Sequence, residues 1–151
     1  MIFQGPAVGS GEEGEVYEST DGEFIPKIST NGNPVCIERG ALDALNGLGG
    51  YFPRRFQLVD HSSYCNYHSL VIEKVGDSDW RSFPHKLDDD FYTRAATLME
   101  AIKTLHSTGI RHGDLHASNI RLDSQDPTKI YIIDFGLAGD SGISRKLDMS
   151  R

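Results

Sequence analysis

The chain has 151 residues, of which 38% are hydrophobic and 25% charged, and this composition fits one ordinary globular domain. The formal net charge of −7 argues against a nucleic-acid binder, because such proteins use Lys and Arg to neutralise phosphates. The chain has two cysteines, and it shows neither an apolar segment behind Met1 nor a run long enough to cross a membrane. A reducing, cytoplasmic setting without membrane contact is therefore expected.

The first third of the chain is predicted to hold short strands separated by turns. Residues 15–19 (EVYES) and 23–29 (EFIPKIS) alternate as strands do, and the turn TDG at residues 20–22 makes them a hairpin. Pro26 has no N–H to donate to a ladder, so it should lie at a sheet edge or face outward.

A helix is predicted over residues 33–50, with further strands at 54–61 and 67–75. Asn33 can cap the helix, because its side chain can accept from a free N–H of the first turn. The apolar residues at helical spacing are Ile37, Ala41, Leu45 and Leu48.

The second half has a different pattern, dominated by a predicted helix over residues 87–109. The helix begins in an acidic run, which suits its dipole, and it ends at Gly109. Its apolar stripe consists of Phe91, Ala95, Leu98, Ile102 and Leu105. Two strands are predicted to follow, at 120–122 and 129–134.

Three glycines, Gly9, Gly11 and Gly14, precede the first predicted strand, with Val16 two residues further on. Glycine lets backbone N–H groups approach phosphate oxygens closely. Because these glycines precede a strand, they do not fit a dinucleotide fold, in which they would open a helix. They suit a hairpin that covers a nucleotide, and a plain turn remains the alternative.

A lysine and a glutamate follow at spacings that suggest a role in binding phosphate. Lys27 comes 13 residues after Gly14, on the second strand of the hairpin, from which it could reach phosphates. Glu38, beside Leu42 and Leu45 on the helix, could supply its counter-charge. The alternatives are a solvated lysine and a surface glutamate.

The segment HGDLHASN at residues 112–119 crowds short polar side chains between apolar residues. Asp114 and Asn119 lie five residues apart, and Asp134 follows Asn119 by fifteen, at the end of a strand. The oxygens of Asn119 and Asp134 are hard ligands that suit magnesium beside phosphates, and Asp114 could accept a proton from a hydroxyl. The alternative is a tight, self-capped loop.

A zinc site is a competing reading of the segment HSSYCNYH. His61, Cys65 and His68 are potential ligands, but no fourth ligand is evident, so an ordinary hairpin loop is favoured.

In their order along the chain, these segments resemble the protein-kinase-like phosphotransferases. The resemblance implies an α+β, bilobal fold that uses ATP and Mg²⁺. An antiparallel sheet plus one helix would form the N-lobe, residues 1–75, and a long helix, catalytic loop and Asp-Phe-Gly motif would form a minimal C-lobe, residues 76–151.

The resemblance also implies a role for each motif residue. The phosphates of ATP would be covered by Gly9, Gly11, Gly14 and Val16 and contacted by Lys27, which pairs with Glu38. In LVIEKVG, Glu73 and Val75 would belong to the hinge that holds adenine. Asp114 would orient the acceptor hydroxyl and take its proton, and Asn119 and Asp134 would hold magnesium. His116 would contact the γ-phosphate or only cap its loop.

The sequence departs from regulated protein kinases at several positions. Gly113 replaces the arginine that receives a phosphorylated activation loop, so no such switch is expected. His116 stands where Ser/Thr kinases usually carry lysine, and HGDLH looks more like aminoglycoside and choline-type kinases. Lys27 and Glu38 are only 11 residues apart, which leaves room for a short link.

The chain continues for 15 residues after Gly136, which suggests either a fragment of a longer kinase or a minimal kinase with a severely truncated C-lobe. It is similar in size and in its HGD loop to minimal kinases among bacterial type III effectors of the Hop group. That likeness implies delivery into a host cytosol and a host chaperone as the substrate.

The favoured function is a minimal, atypical serine/threonine protein kinase that acts on a dedicated protein partner. The alternatives are a small-molecule phosphotransferase and a catalytically weak nucleotide-binding scaffold.

Overall fold

The computed structural model describes residues 7–11, 14–17, 24–28, 32–56 and 69–140. The strands are β1 (Ala7–Gly11), β2 (Gly14–Tyr17), β3 (Phe24–Ile28), β4 (Arg55–Phe56), β5 (Ser69–Glu73), β6 (Ser78–Asp79), β7 (Ile110–Arg111), β8 (Ile120–Leu122), β9 (Ile130–Ile132) and β10 (Gly139–Asp140). The α-helices are α1 (Gly32–Leu45) and α2 (Asp89–Ser107). Neither helix combines the length and apolar character needed to span a bilayer, nor does any other helix within these ranges.

Five strands of the first half form an antiparallel sheet in the order β1-β2-β3-β5-β4. The glycine segment is a hairpin, in which Gly11 pairs with Gly14 across β1 and β2. The predicted pairing of β2 with β3 is confirmed, with Val16 opposite Lys27. Together with the two helices, this sheet confirms the α+β class.

Of the two alternatives predicted for Pro26, the sheet edge is wrong, and an outward-facing side chain stays a prediction. Its strand, β3, is the middle strand of the sheet, and Pro26 is the partner of Val71 on β5. Strand β2 lies on the opposite side of β3, and within the described residues it pairs with Lys27 and Ile28. Proline has no N–H to donate, and Pro26 lies just outside the residues of β3 that pair with β2. A central strand therefore tolerates it at this position.

Helix α1 differs from its prediction at both ends and in part of its buried face. It begins at Gly32, so Asn33 lies inside the helix, and it ends at Leu45 because the next two residues are left-handed, Asn46 with φ 46° and Gly47 with φ 67°. Of the predicted stripe, Ile37 and Leu48 are exposed. The buried residues of the helix are Val35, Glu38, Ala41, Leu42 and Leu45.

Helix α2 begins and ends almost as predicted. The Asp88 carboxylate caps it by accepting from the N–H of Phe91 at 3.0 Å, and Gly109 follows the helix with φ 82°. Arg94 is buried against expectation: its guanidinium lies 4.7 Å from the Phe83 ring centre and donates to two backbone carbonyls, those of Asp123 and Ser124. A buried arginine is tolerated where such partners surround it.

The main hydrophobic core joins the two halves of the chain. It is formed by Val35, Ala41, Leu42, Leu45, Phe52, Leu70, Ile72, Ala101, Leu105, Ile132 and Phe135. Helix α1 and strand β5 thus pack with helix α2 and strand β9, and the N–H of Ile132 donates to Tyr51 O at 2.8 Å. The predicted lobe boundary between residues 75 and 76 stays a prediction.

Several predicted features lie outside the described residues. These are the turn at residues 20–22, most of the strand at 54–61, the potential zinc ligands His61, Cys65 and His68, and everything beyond residue 140.

Candidate active site

The loop between β7 and β8 begins with a buried histidine, His112. Its Nε2 lies 2.6 Å from the carbonyl oxygen of Ile133, and its Nδ1 accepts from the N–H of Asp114 at 3.1 Å. A carbonyl can only accept and an N–H can only donate, so the ring is neutral with its proton on Nε2. His112 therefore ties the loop that carries Asp114 to the residue before Asp134. This role was not predicted from the sequence, although the place of His112 in the HGD segment was a usable signal.

Asp114 has a fixed backbone and a partly exposed carboxylate. Its N–H donates to His112, and its carbonyl accepts from Nδ2 of Asn119 at 2.9 Å. The side chain of Asp114 is 45% exposed, so a hydroxyl group can reach the carboxylate from solvent. The role of Asp114 as a general base stays a prediction.

Asn119 is buried and connects the two loops. Its Nδ2 donates to the carbonyl of Asp114, and its own carbonyl accepts from the N–H of Ile133 at 3.0 Å. The amide NH2 group is a donor only, so the side-chain oxygen Oδ1 is the atom that Asn119 can offer to a cation.

Asp134 directly follows Ile133 and has a left-handed backbone, with φ 62°. This conformation is unfavourable for a residue other than glycine and is found preferentially at functional sites. The next residue, Phe135, is fully buried, with its ring centre 4.7 Å from that of His112 and 5.9 Å from that of Phe52. Asp134 is thus held between two anchored neighbours.

Glu38 provides the link from α1 to this motif. Its Oε2 accepts a buried hydrogen bond from the N–H of Phe135 at 2.8 Å, and the residue is 1% exposed. The alternative of a surface glutamate is therefore wrong. Its predicted partner Lys27 lies on β3, opposite Val16 on one side and Leu70 on the other. The side chain of Lys27 lies outside the described part of the structure, so the ion pair stays a prediction.

The glycine hairpin is described by its backbone alone. Gly9 and Gly11 lie on β1 and Gly14 opens β2, with Gly9 opposite Val16. A hairpin of this kind matches the predicted phosphate cover, and contact with a nucleotide stays a prediction.

His116 caps its own loop. It precedes the 3₁₀ turn Ala117–Asn119, and its Nδ1 accepts from the N–H of Ser118 at 3.2 Å. Its Nε2 lies 3.6 Å from Oδ2 of Asp114. Capping is therefore the observed role, and contact with a γ-phosphate stays a prediction.

The segment after β5 is fixed by backbone contacts. Glu73 exchanges hydrogen bonds with Arg54, whose carbonyl accepts from the Glu73 N–H at 2.9 Å and whose N–H donates to Glu73 Oε1 at 2.9 Å. The side chain and the backbone N–H of Glu73 are thus both engaged with Arg54, and contact with adenine stays a prediction. The carbonyl of Val75 accepts from Nε of Arg121 at 3.2 Å, and Arg121 follows Asn119 by two residues.

Two further residues anchor this segment to the second half. Gly76 has φ 68°, and a Cβ there would lie 2.7 Å from the carbonyl oxygen of Leu122. The Asp77 carboxylate accepts from the side chain and the backbone of Ser124, and these bonds lower the pKa of Asp77.

Comparison with known proteins identifies the family. The model of the protein kinase domain matches residues 60–150, more than half of the chain, and the chain belongs to this family. The predicted family is confirmed.

Three curated relatives are kinases from viruses and eukaryotes. The chain is 28% identical over 153 residues to B1 kinase of monkeypox virus, covering 88% of this chain and 50% of that protein. It is 33% identical over 139 residues to the probable serine/threonine-protein kinase DDB_G0286481 of Dictyostelium discoideum, covering 87% of this chain and 22% of that one. It is 47% identical over 120 residues to serine/threonine-protein kinase RAD53 of Saccharomyces cerevisiae, covering 77% and 14%.

The fold is similar to that of the PK-1 kinase of Cydia pomonella granulovirus. The TM-score is 0.65 at 22% identity, over 85% of this chain and 49% of that one. The chain therefore spans about half the length of this kinase and of the poxvirus relative. The kinase-like fold predicted from the motifs is confirmed. None of these four proteins is bacterial, and the likeness to type III effectors stays a prediction.

Proposed function

We propose that the chain is an atypical serine/threonine protein kinase that transfers the γ-phosphate of ATP with the help of Mg²⁺. One observation carries the proposal: Asn119 bridges the loops of the two aspartates, since it donates to Asp114 O and accepts from the N–H of Ile133, beside Asp134. These bonds bring the backbones of the two aspartate loops together, with the amide of Asn119 between them. Phosphate transfer needs such a cluster, because its chemistry is mainly positioning and neutralisation of charge.

The described residues fit both ATP and magnesium. Asp134 and Asn119 Oδ1 are hard oxygen donors on adjoining loops, as Mg²⁺ prefers, and the ion would neutralise charge on the phosphates. The glycine hairpin and Lys27 would hold the phosphates, with Glu38 orienting Lys27. Glu73 and Val75, in the segment that would form the hinge, would hold adenine.

Asp114 supplies the chemistry at the acceptor. Its backbone is fixed by His112 and Asn119, and its exposed carboxylate orients the incoming hydroxyl and accepts the proton. His116, whose Nε2 lies 3.6 Å from Oδ2 of Asp114, would contact a phosphate oxygen through an imidazole N–H.

A protein acceptor is favoured over a small molecule because two relatives carry the name serine/threonine-protein kinase. The histidine at position 116 is the one feature that favours the small-molecule alternative. We propose one dedicated protein partner, met in the cytoplasm or, if the chain is a delivered effector, in a host cytosol, where a chaperone is the candidate substrate.

A transfer assay tests the proposal. The full chain is incubated with γ-labelled ATP, Mg²⁺ and a cell lysate, beside Asp134→Asn and the exposed control Asp90→Asn, and labelled proteins are analysed for phosphoamino acids. Phosphoserine or phosphothreonine should appear with wild type and Asp90→Asn and be absent with Asp134→Asn. Label found only in small molecules would contradict a protein acceptor. Bound ATP without any transfer would contradict an active enzyme.

A further inference from the structure

Gly113 occupies a position that admits no side chain. Its φ is +88°, and a Cβ built there would lie 2.1 Å from the carbonyl oxygen of Leu137 and 2.9 Å from its carbonyl carbon. Both atoms belong to the backbone, so a small side-chain movement cannot relieve the clash. Glycine is the residue that allows such an approach at positive φ.

This contact lies within a longer strip of backbone contacts between two segments. Strand β7 pairs antiparallel with β10, with Arg111 opposite Gly139. His112 bonds to the carbonyl of Ile133, and Gly113 then meets Leu137. The segment that leads into Asp114 therefore runs directly against the segment that follows Asp134.

We propose that Gly113 is a positioning residue for the metal-binding aspartate. By letting the backbone before Asp114 lie against the carbonyl of Leu137, it fixes the Asp134 segment beside the catalytic loop through backbone packing. This arrangement requires neither a phosphorylated residue nor a charged side chain at position 113. The inference rests on the proposed function, because positioning matters only if Asp134 binds the metal of Mg-ATP.

The variant Gly113→Ala should separate the two segments while the nucleoside end of the site stays intact. The Kd of Mg-ATP should rise about tenfold, and kcat should fall about a hundredfold, the scale expected for a displacement of roughly 1 Å. The Kd of adenosine, which has no phosphates for a metal ion to bind, should stay within about twofold of the wild-type value. Calorimetry with each ligand and steady-state kinetics supply these values.

Three matched variants separate the effect of the clash with Leu137 from the effects of backbone strain and of the Leu137 side chain. Gly50→Ala introduces a side chain at φ +78° with nothing within 4 Å, so it tests left-handed strain alone. Gly113→Asn tolerates the left-handed backbone better but keeps the clash, so it should behave like Gly113→Ala. Leu137→Ala removes a half-exposed side chain and keeps the carbonyl. Gly50→Ala and Leu137→Ala should both preserve the wild-type ratio of the two Kd values.

The outcomes distinguish this inference from the proposed function. The inference is overturned if the ratio of the Kd of Mg-ATP to the Kd of adenosine is the same in Gly113→Ala as in wild type, as it would be if both ligands bound equally more weakly. It is also overturned if Gly113→Ala fails to fold at 25 °C while Gly50→Ala folds. A wild-type chain that binds Mg-ATP but transfers no phosphate contradicts the proposed function, and the ratio of Kd values still decides the role of Gly113. A wild-type chain that binds no nucleotide overturns both.

Discussion

Asp114→Asn is expected to lower kcat for phosphate transfer by about a thousandfold, within the range typical for loss of a general base. The amide is nearly the same size as the carboxylate, so it fits the same space, but it cannot accept the proton of the hydroxyl. The fold should survive, because the hydrogen bonds that fix this residue come from its backbone, to His112 and from Asn119.

Steady-state kinetics with Mg-ATP and thermal unfolding measure the two halves of this prediction. Asp90→Asn, on the exposed first turn of α2, serves as the control and should match wild type in both measurements. An Asp114→Asn variant with more than about a tenth of wild-type kcat would show that another group takes the proton.

Glu38→Ala should both destabilise the chain and inactivate it. The substitution leaves the N–H of Phe135 without its recorded acceptor in a buried site, where an unsatisfied donor costs about 1–3 kcal/mol. It also removes the predicted partner of Lys27. Phe135, the residue that follows Asp134, loses its hydrogen bond to helix α1. The free energy of unfolding from denaturant titration and the kcat for transfer should both fall.

Glu38→Gln is the matched variant that separates these effects. Its side-chain oxygen can still accept from Phe135, so the free energy of unfolding should recover most of the loss, while the neutral side chain cannot pair with a lysine. Activity should remain low. If Glu38→Gln recovers both stability and activity, the charge of Glu38 has no role, and the predicted pair with Lys27 is wrong.

Local sequence patterns predicted those elements whose signals are also local. The acidic start of α2, its end near Gly109 and the glycine hairpin all depend on residues close in sequence, and all three are present. The buried side of α1 was predicted in part, because Glu38 shares a face with Leu42 and Leu45.

Features that depend on distant contacts were missed. The burial of Arg94 requires carbonyls 29 and 30 residues away, and the central position of Pro26 depends on β5, more than forty residues later. The role of His112 requires Ile133, 21 residues further on.

The site shows the same division between residue type and geometry. From the sequence, Gly113 was noted only because regulated protein kinases have arginine at that position. The structure shows that the position has no room for any side chain. It identified Asp134 by its motif and strand, but its left-handed backbone is set by its anchored neighbours, Ile133 and Phe135.

Titration of the full chain with ATP in the presence and absence of Mg²⁺, by calorimetry, tests the central claim most directly. If Asp134 and Asn119 hold the metal on the phosphates, Mg²⁺ should tighten ATP binding to wild type by about tenfold, or roughly 1.4 kcal/mol. Asp134→Asn should abolish that enhancement and leave adenosine binding unchanged. An Asp134→Asn chain in which Mg²⁺ still tightens ATP binding to the wild-type extent would contradict the account.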